Sequence, residues 1–365
     1  MSGAGPGFSP PPYPYDRLEP AKAAASAHEG GLVDLSIGTP NDPPPDAVVA
    51  ALASSGAERG YPASIGSVRF REAAAGWMGR RFGVEVPPDN LAACVGTKEL
   101  VANVVGWLRL RTPDRDTVLC PSVAYPTYEM GAILAGCRPL AVDDLAAVTD
   151  DDARRALCLW VNSPANPTGA LADLGAAAAW GRAHDVPVLS DECYAEFTWD
   201  GLPHTILEHG LQGVLAVHSL SKRSNLAGLR VGFYAGDPAL VHYLAEVRKH
   251  AGFMVPGPVQ AAAVVAFDDD AHVDEQRERY LERLWFFADI LRAEGAKVDL
   301  PGGSFYLWAE APGGDAWAFT DDLAARGGVL VSPGDLYGPG GAGHVRVAMV
   351  QPMDRLRLVA ERLGA

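Results

Sequence analysis

Val214-Leu215-Ala216-Val217-His218-Ser219-Leu220-Ser221-Lys222, with Arg230 eight residues further on, decides how this chain is read. The apolar run at 214–218 has the length and β-branched content of a strand buried on both faces, as parallel sheets require. A lysine just past the end of such a strand sits between hydroxyls and is backed by an arginine. It is placed to form a Schiff base beside a phosphate. Taken alone, an S-x-S-K run is most often a surface loop. Desolvating an ammonium is costly, so a lysine in this setting needs a chemical reason, which the rest of the sequence supplies.

Apolar runs alternate with helical patterns on either side of this stretch. Strands are expected at 91–95, 117–120, 157–161, 186–190 and 214–218, with one more at 230–235. Helices are expected at 98–110 and 171–184. This alternation implies βαβ units in a mostly parallel sheet flanked by helices, an α/β architecture. Beyond residue 258 the pattern changes to long helices at 259–267 and 273–294. Short strands at 297–300, 305–309, 329–332 and 344–350 come next, with a closing helix at 354–363. That second pattern reads as a smaller α+β domain. The expected division is therefore 42–258 for the large domain and 1–41 with 259–365 for the small one.

A chain of 365 residues exceeds what one compact core accommodates, which agrees with two domains. Its net charge of −15 argues against nucleic acid or an anionic membrane surface as a partner. No apolar run approaches the ~20 residues that span a bilayer. Residues 1–20 are rich in Gly, Pro and Ser and lack a basic segment followed by an apolar one, so neither a signal nor a transit peptide is expected there. The five cysteines, 94, 120, 137, 158 and 193, are widely spaced and form no C-x-x-C pair. They read as reduced thiols of a cytoplasmic protein. The acidic runs at 150–152 and 268–270 lack the alternation of a cation-binding loop and read as solvated loops or helix starts. His204, Glu208 and His209 have no metal spacing. Gly338-Pro-Gly340-Gly-Ala-Gly343 satisfies G-x-G-x-x-G but leads into a strand rather than a helix, so it is not read as a dinucleotide site.

Ligands of open parallel sheets bind beyond the carboxyl ends of the strands. Past the ends of the expected strands stand, in chain order, Gly96-Thr97-Lys98, then Tyr125, then Asn166, then Asp191 with Tyr194, then Ser219 with Ser221 and Lys222. Gly96-Thr97 opens a helix whose free N–H groups suit a phosphate. Arg230 adds a charged fork. Asp191 ends a buried strand, where a lone carboxylate is expensive and calls for a cationic partner. A protonated pyridine nitrogen would serve, as would a structural salt bridge.

With these residues in view, the chain resembles the class I aminotransferases, pyridoxal-phosphate enzymes of the aspartate aminotransferase fold. The resemblance runs from Asp34-Leu-Ser-Ile-Gly38-Thr-Pro onward. It is carried by Asn166-Pro-Thr-Gly169, Asp191-Glu-Cys-Tyr194, Ser219-Leu-Ser-Lys222 with Arg230, and His344-Val-Arg-Val-Ala348. It implies that Lys222 joins the cofactor and moves the substrate proton, and that Asp191 holds the ring nitrogen protonated. Tyr194 and Asn166 would bond the ring oxygen, and Tyr125 would stack on the ring. Gly96, Thr97, Lys98, Ser219, Ser221 and Arg230 would surround the cofactor, with Thr97, Ser219 and Arg230 on its phosphate. Arg346 and the Gly38 backbone would grip the substrate carboxylate, with Asn166 also in contact with the substrate. Tyr61 resembles the tyrosine that reaches the phosphate of the other subunit, which implies a homodimer with its site at the subunit interface.

Within the class, four stretches resemble N-succinyldiaminopimelate aminotransferases of actinobacterial type: Gly96-Thr-Lys-Glu-Leu100, Ala124-Tyr-Pro-Thr-Tyr128, 215–222, and Val247-Arg-Lys-His-Ala-Gly-Phe-Met-Val-Pro256. They imply transfer of the amino group of N-succinyl-LL-2,6-diaminopimelate to 2-oxoglutarate, in lysine and diaminopimelate biosynthesis. Arg223 departs from the small residue expected after the lysine. Arg69, Arg223, Lys249 and His250 are the candidate cations for the distal carboxylate. Other donors (aspartate, alanine, aromatic amino acids) and a pyridoxal-phosphate C–S lyase share these motifs. A ligand-sensing domain of a transcription regulator would need an N-terminal DNA-binding module and a basic face, and the sequence offers neither.

Overall fold

A computed structural model describes residues 8–365; residues 1–7, the start of the Gly/Pro-rich segment, lie outside it. Its strands are β1 (Val33–Asp34), β2 (Leu91–Cys94), β3 (Thr117–Cys120), β4 (Arg138–Ala141), β5 (Ala156–Asn162), β6 (Val188–Asp191), β7 (Val214–Ser219), β8 (Gly232–Gly236), β9 (Tyr306–Glu310), β10 (Val329–Leu330), β11 (Ser332–Pro333) and β12 (His344–Ala348).

Seven of them form one sheet in the order β2-β8-β7-β6-β5-β3-β4. All its pairings are parallel except those of β8, which runs against both β2 and β7. β2 therefore points the same way as β3 to β7, and its carboxyl end opens on the same edge. Every residue of β7 is buried, as the apolar run predicts for a strand covered on both faces. β4 escaped sequence reading. As an edge strand, Arg-Pro-Leu-Ala, it has no buried residue and hence no apolar pattern to betray it.

Helices cover both faces. Leu100, Val104 and Leu108 of the helix Thr97–Arg111 pack with Tyr128 and Trp160 on one side of the sheet. On the other, Phe70, Trp77 and Phe82 of the helix Val68–Phe82 join Phe233 and Phe267. Ser67 caps that helix by accepting the Phe70 N–H, and Gly83, with φ of +68°, ends it in the left-handed conformation that favours glycine. The helix Gly257–Asp268, which the sequence pattern assigned to the smaller domain, packs in this same core through Ala262, Ala263, Ala266 and Phe267. Its face is small and apolar because it wedges against Val48 and Phe70 rather than against the C-terminal strands.

The remaining strands form two small sheets. β11-β12-β9 is antiparallel, with β12 central. β1 pairs in parallel with β10, so the N-terminal segment is tied to the C-terminal part of the chain. The expected strand at 329–332 is thus two short strands in different sheets. The expected strand at 297–300 reduces to a single bridge between Lys297 and Glu310. The long helix Ala271–Ala293 covers this second core with Tyr280, Leu284, Phe287 and Leu291. The glycine-rich run 338–343 makes a short helical turn, Pro339–Gly341, that leads into β12.

Candidate active site

The carboxyl ends of β2, β3, β5, β6 and β7 open into a cavity of about 420 Å³ that β12 and the N-terminal segment close from the other side. Its lining includes Gly38, Thr97, Lys98, Tyr125, Asn166, Asp191, Tyr194, Ser219, Ser221, Lys222, Arg230 and Arg346. These residues lie far apart in the chain, and the sheet edge gathers them.

Lys222 sits in a single helical turn, Leu220–Arg223, that starts directly after β7. Ser219 begins the turn by accepting the Ser221 N–H at 3.1 Å. The Lys222 Nζ donates to the Gly38 carbonyl. Burial lowers its pKa to about 8, and the nearby Arg346 and Arg230 push the same way against Cys193 and Asp191. A basic amine is thereby kept partly neutral near physiological pH.

Asp191, at the end of β6, is buried. Its Oδ2 accepts the Tyr128 hydroxyl at 2.8 Å and its Oδ1 the Cys193 N–H at 3.2 Å. Burial raises its pKa above the usual carboxylate value despite these bonds. No cation pairs with it among the described residues, so the salt-bridge alternative is not realised. Asn162, at the end of β5, shapes the next loop. Its Nδ2 donates to the Asp191 carbonyl at 2.8 Å, and its Oδ1 accepts the Asn166 N–H at 2.7 Å.

Arg346 lies on the central strand of its sheet and is 2% exposed, not an edge residue facing water. Nη1 donates to Asn166 Oδ1 at 2.8 Å and Nη2 to the Ser36 carbonyl at 2.5 Å. The guanidinium is held between the rings of Tyr306 and Tyr337, 4.3 and 4.7 Å from their centroids. Nε has no partner. Tyr194 and Tyr306 share a hydroxyl–hydroxyl bond of 2.8 Å.

At the β2 end, Gly96 has φ of +72°, and a Cβ there would collide with the Arg230 guanidinium. Arg230 reaches Ser221 Oγ at 3.5 Å, and Thr97 accepts the Cys193 thiol at 3.4 Å. Hydroxyls, a guanidinium and the N-terminus of the helix Thr97–Arg111 thus converge on one spot, a donor set suited to a phosphate. An uncompensated buried carboxylate lies across the cavity, with a lysine of lowered basicity nearby. That set fits a cofactor carrying an anion at one end, a protonated ring nitrogen at the other and an aldehyde between.

One expectation needs correction. None of the four cations expected to read a distal carboxylate lines the cavity. Arg223 is turned away because successive helical residues point about 100° apart. It binds Glu196 at 2.5 Å and stacks over Trp77 and Phe267. Arg69 pairs with Asp268 at the surface, Lys249 with Glu246, and His250 is exposed. Tyr61, expected to reach the phosphate of the other subunit, is fully exposed and lies outside the cavity of its own chain. Sequence reading also missed residues that the cavity uses. Tyr128 lines the cavity, although its sequence context gives it no role, and Tyr306 reads in the sequence as a core residue of a strand. Tyr13 and Tyr15 come from a Pro-rich segment with no periodicity to read. His204 forms an exposed pair with Glu208, and among the described residues no cluster suits a metal ion.

An α/β sheet carrying this lysine, aspartate and arginine at its carboxyl edge defines a pyridoxal-phosphate enzyme of the aspartate aminotransferase type. The family model for class I and II aminotransferases matches residues 31–363, and the chain belongs to that family, whose members depend on pyridoxal phosphate. It is 44% identical to a probable aminotransferase of Mycobacterium tuberculosis, over 97% of this chain and 85% of that one. It is 43% identical to the 4-dedimethylamino-4-oxo-anhydrotetracycline transaminase of Streptomyces rimosus, over 97% and 99%. Among solved structures, a probable N-succinyldiaminopimelate aminotransferase of Thermus thermophilus superposes with a TM-score of 0.86 at 34% identity, over 96% and 99%.

Proposed function

We propose that this aminotransferase moves the amino group of N-succinyl-LL-2,6-diaminopimelate to 2-oxoglutarate. The observation that carries the transfer chemistry is the fork of Arg346, buried in the same cavity as the Lys222 amine. Asn166 and the Ser36 carbonyl fix the guanidinium, so a substrate α-carboxylate meets a preset partner and its Cα–H is oriented for removal. Lys222 Nζ, with its pKa lowered to about 8, takes that proton and returns it. Pyridoxal phosphate, when bound, supplies the electron sink for charge building on Cα. Asp191 would bond the ring nitrogen, Tyr194 and Asn166 the ring oxygen, and Tyr125 the ring face. Gly96, Thr97, Ser219, Ser221 and Arg230 would hold the phosphate.

With Arg69, Arg223, Lys249 and His250 turned elsewhere, Lys98 is the cation of the cavity left for a distal carboxylate. Its Nζ lies 5.3 Å over the Tyr13 ring at the mouth. The similarity to the Thermus thermophilus protein supports the succinylated donor. The aromatic mouth of Tyr13, Tyr15 and Tyr125 favours a second reading, a bulky aromatic oxo acceptor of the kind named for the Streptomyces rimosus relative. Assays pairing succinyl-diaminopimelate, aspartate, alanine and aromatic donors with 2-oxoglutarate, and glutamate with a polycyclic aromatic ketone, separate the two. The first reading expects glutamate to form fastest from the succinylated donor; a clear preference for another donor, or release of pyruvate and ammonia, rejects it.

Arg346→Lys keeps the charge but loses the fork. We expect kcat/KM to fall about 10- to 100-fold, from the loss of one charged hydrogen bond, with cofactor affinity unchanged. An equal fall in cofactor affinity would place Arg346 elsewhere in the chemistry. We infer further a cytoplasmic homodimer, in which the exposed Tyr61 of one copy reaches the phosphate of the other. The five free cysteines support the compartment. The domains are proposed to divide after the helix Gly257–Asp268, since that helix shares the core of the large sheet.

A further inference from the structure

In the turn Val95-Gly96-Thr97 the Gly96 N–H donates to the Cys94 carbonyl at 2.8 Å, and the Val95 N–H is left for a partner from outside the turn. Gly96 stands at the N-cap of the helix Thr97–Arg111 and offers no side-chain cap. Glu99, three residues on, reaches back instead, and its Oε1 accepts the Val95 N–H at 2.9 Å. A carboxylate suits a helix N-terminus. It also sets a negative charge on the turn that is to receive a phosphate.

Arg248 answers that charge from a different helix, Pro238–His250. Its Nη2 donates to Glu99 Oε1 at 2.5 Å and its Nη1 to Oε2 at 3.0 Å, a two-pronged pair. Arg248 is 1% exposed, and its guanidinium lies 5.2 to 5.8 Å from the ring centroids of Phe253, Trp107 and Tyr234. A buried arginine walled by three rings is costly unless its charge is matched, and Glu99 matches it. Neither residue lines the cavity or has a part in the chemistry above.

We propose that Arg248 and Glu99 are positioning residues of the phosphate turn. Glu99 holds the Val95 N–H and so the course of the turn. Arg248 cancels the Glu99 charge, so that the turn accepts an anion. The proposal rests on the reading that this turn holds the cofactor phosphate.

The test is equilibrium binding to cofactor-free protein of pyridoxal phosphate and of pyridoxal, which lacks the phosphate. Arg248→Met strands the Glu99 carboxylate beside the turn. It should weaken pyridoxal phosphate about 10- to 30-fold and leave pyridoxal within about twofold, as a like charge at several ångströms in a half-buried site predicts. Adding Glu99→Gln removes the stranded charge and should restore most of the loss. If both ligands weaken together, if neither does, or if the double variant binds pyridoxal phosphate no better than Arg248→Met, the proposal is overturned. Should Arg248→Met not fold, Arg248→Lys serves, with a smaller loss expected that is still confined to the phosphate form. Thr97→Ala keeps the two readings apart. If it leaves the preference for pyridoxal phosphate over pyridoxal unchanged, the phosphate is not held at this turn and the underlying reading fails. If Thr97→Ala lowers the preference and the Arg248 variants do not, the positioning role alone fails.

Discussion

Lys222→Ala should abolish transamination, with kcat down by at least about 10⁴-fold, because it removes both the covalent anchor and the proton-transferring base. Borohydride should fix pyridoxal phosphate to the wild-type chain at this residue, measured as added mass on its peptide, and should fix none to the variant. The pH dependence has a defined sign. The folded-state pKa of Lys222 is lowered to about 8 by burial, so the amine is protonated below that pH and free above it. Covalent capture of pyridoxal phosphate by cofactor-free protein should therefore speed up as pH rises through about 8. On the acid side it should fall about tenfold per pH unit. A rate that keeps climbing about tenfold per pH unit past pH 9 would mean that the reacting nitrogen has the ordinary lysine basicity and is not in this desolvated setting. Lys222→Arg, which keeps the charge but stays protonated, should behave as the alanine variant does.

The features legible in the sequence and those hidden in it divide along a physical line. β7 and β6 were legible because a strand covered on both faces must be apolar throughout, and because chemistry placed at a strand end comes directly after the run. Asp191 and Lys222, which line the cavity, are legible for that reason. The smooth alternation of strand and helix across 91–218 likewise carried the parallel sheet. β4 was hidden because an edge strand need not be apolar. The antiparallel sense of β8 was hidden because direction leaves no trace in a strand's composition. The helix Gly257–Asp268 has a small apolar face that fits either core, and its packing with Phe70 and Val48 leaves no trace in the sequence pattern. The substrate-reading cations were misassigned for a related reason. Arg223 is adjacent to Lys222 in sequence, but one helical step turns it from the cavity to the Glu196 carboxylate. Tyr128 and Tyr306 were invisible as functional groups, since a buried tyrosine looks like core until its hydroxyl is seen to meet Asp191 or Tyr194.

Asp191→Asn should cost about 10³-fold in kcat, on the scale of removing a preset electrostatic partner from a water-excluded site, while leaving the substrate KM within a fewfold. The raised pKa of Asp191 is the reason. With only Tyr128 and the Cys193 N–H for company, the buried carboxyl is pushed toward its protonated form, and a cationic partner at Oδ2 or Oδ1 would draw it back to the carboxylate. A protonated ring nitrogen is that partner, and each group then stabilises the charged form of the other. An asparagine has the same shape and no charge, so it would leave the nitrogen unprotonated and the ring a weaker acceptor of electrons from Cα. A cofactor analogue with carbon in place of the ring nitrogen isolates the effect. Wild type and Asp191→Asn should turn over at nearly the same rate with it, because the aspartate has nothing left to protonate. A gap between them as large as that seen with pyridoxal phosphate would show that Asp191 acts through the surrounding fold. Tyr128→Phe supplies the graded case. It removes one neutral donor to Oδ2, worth about 1 kcal/mol, and should raise the carboxyl pKa further and slow turnover by about tenfold or less.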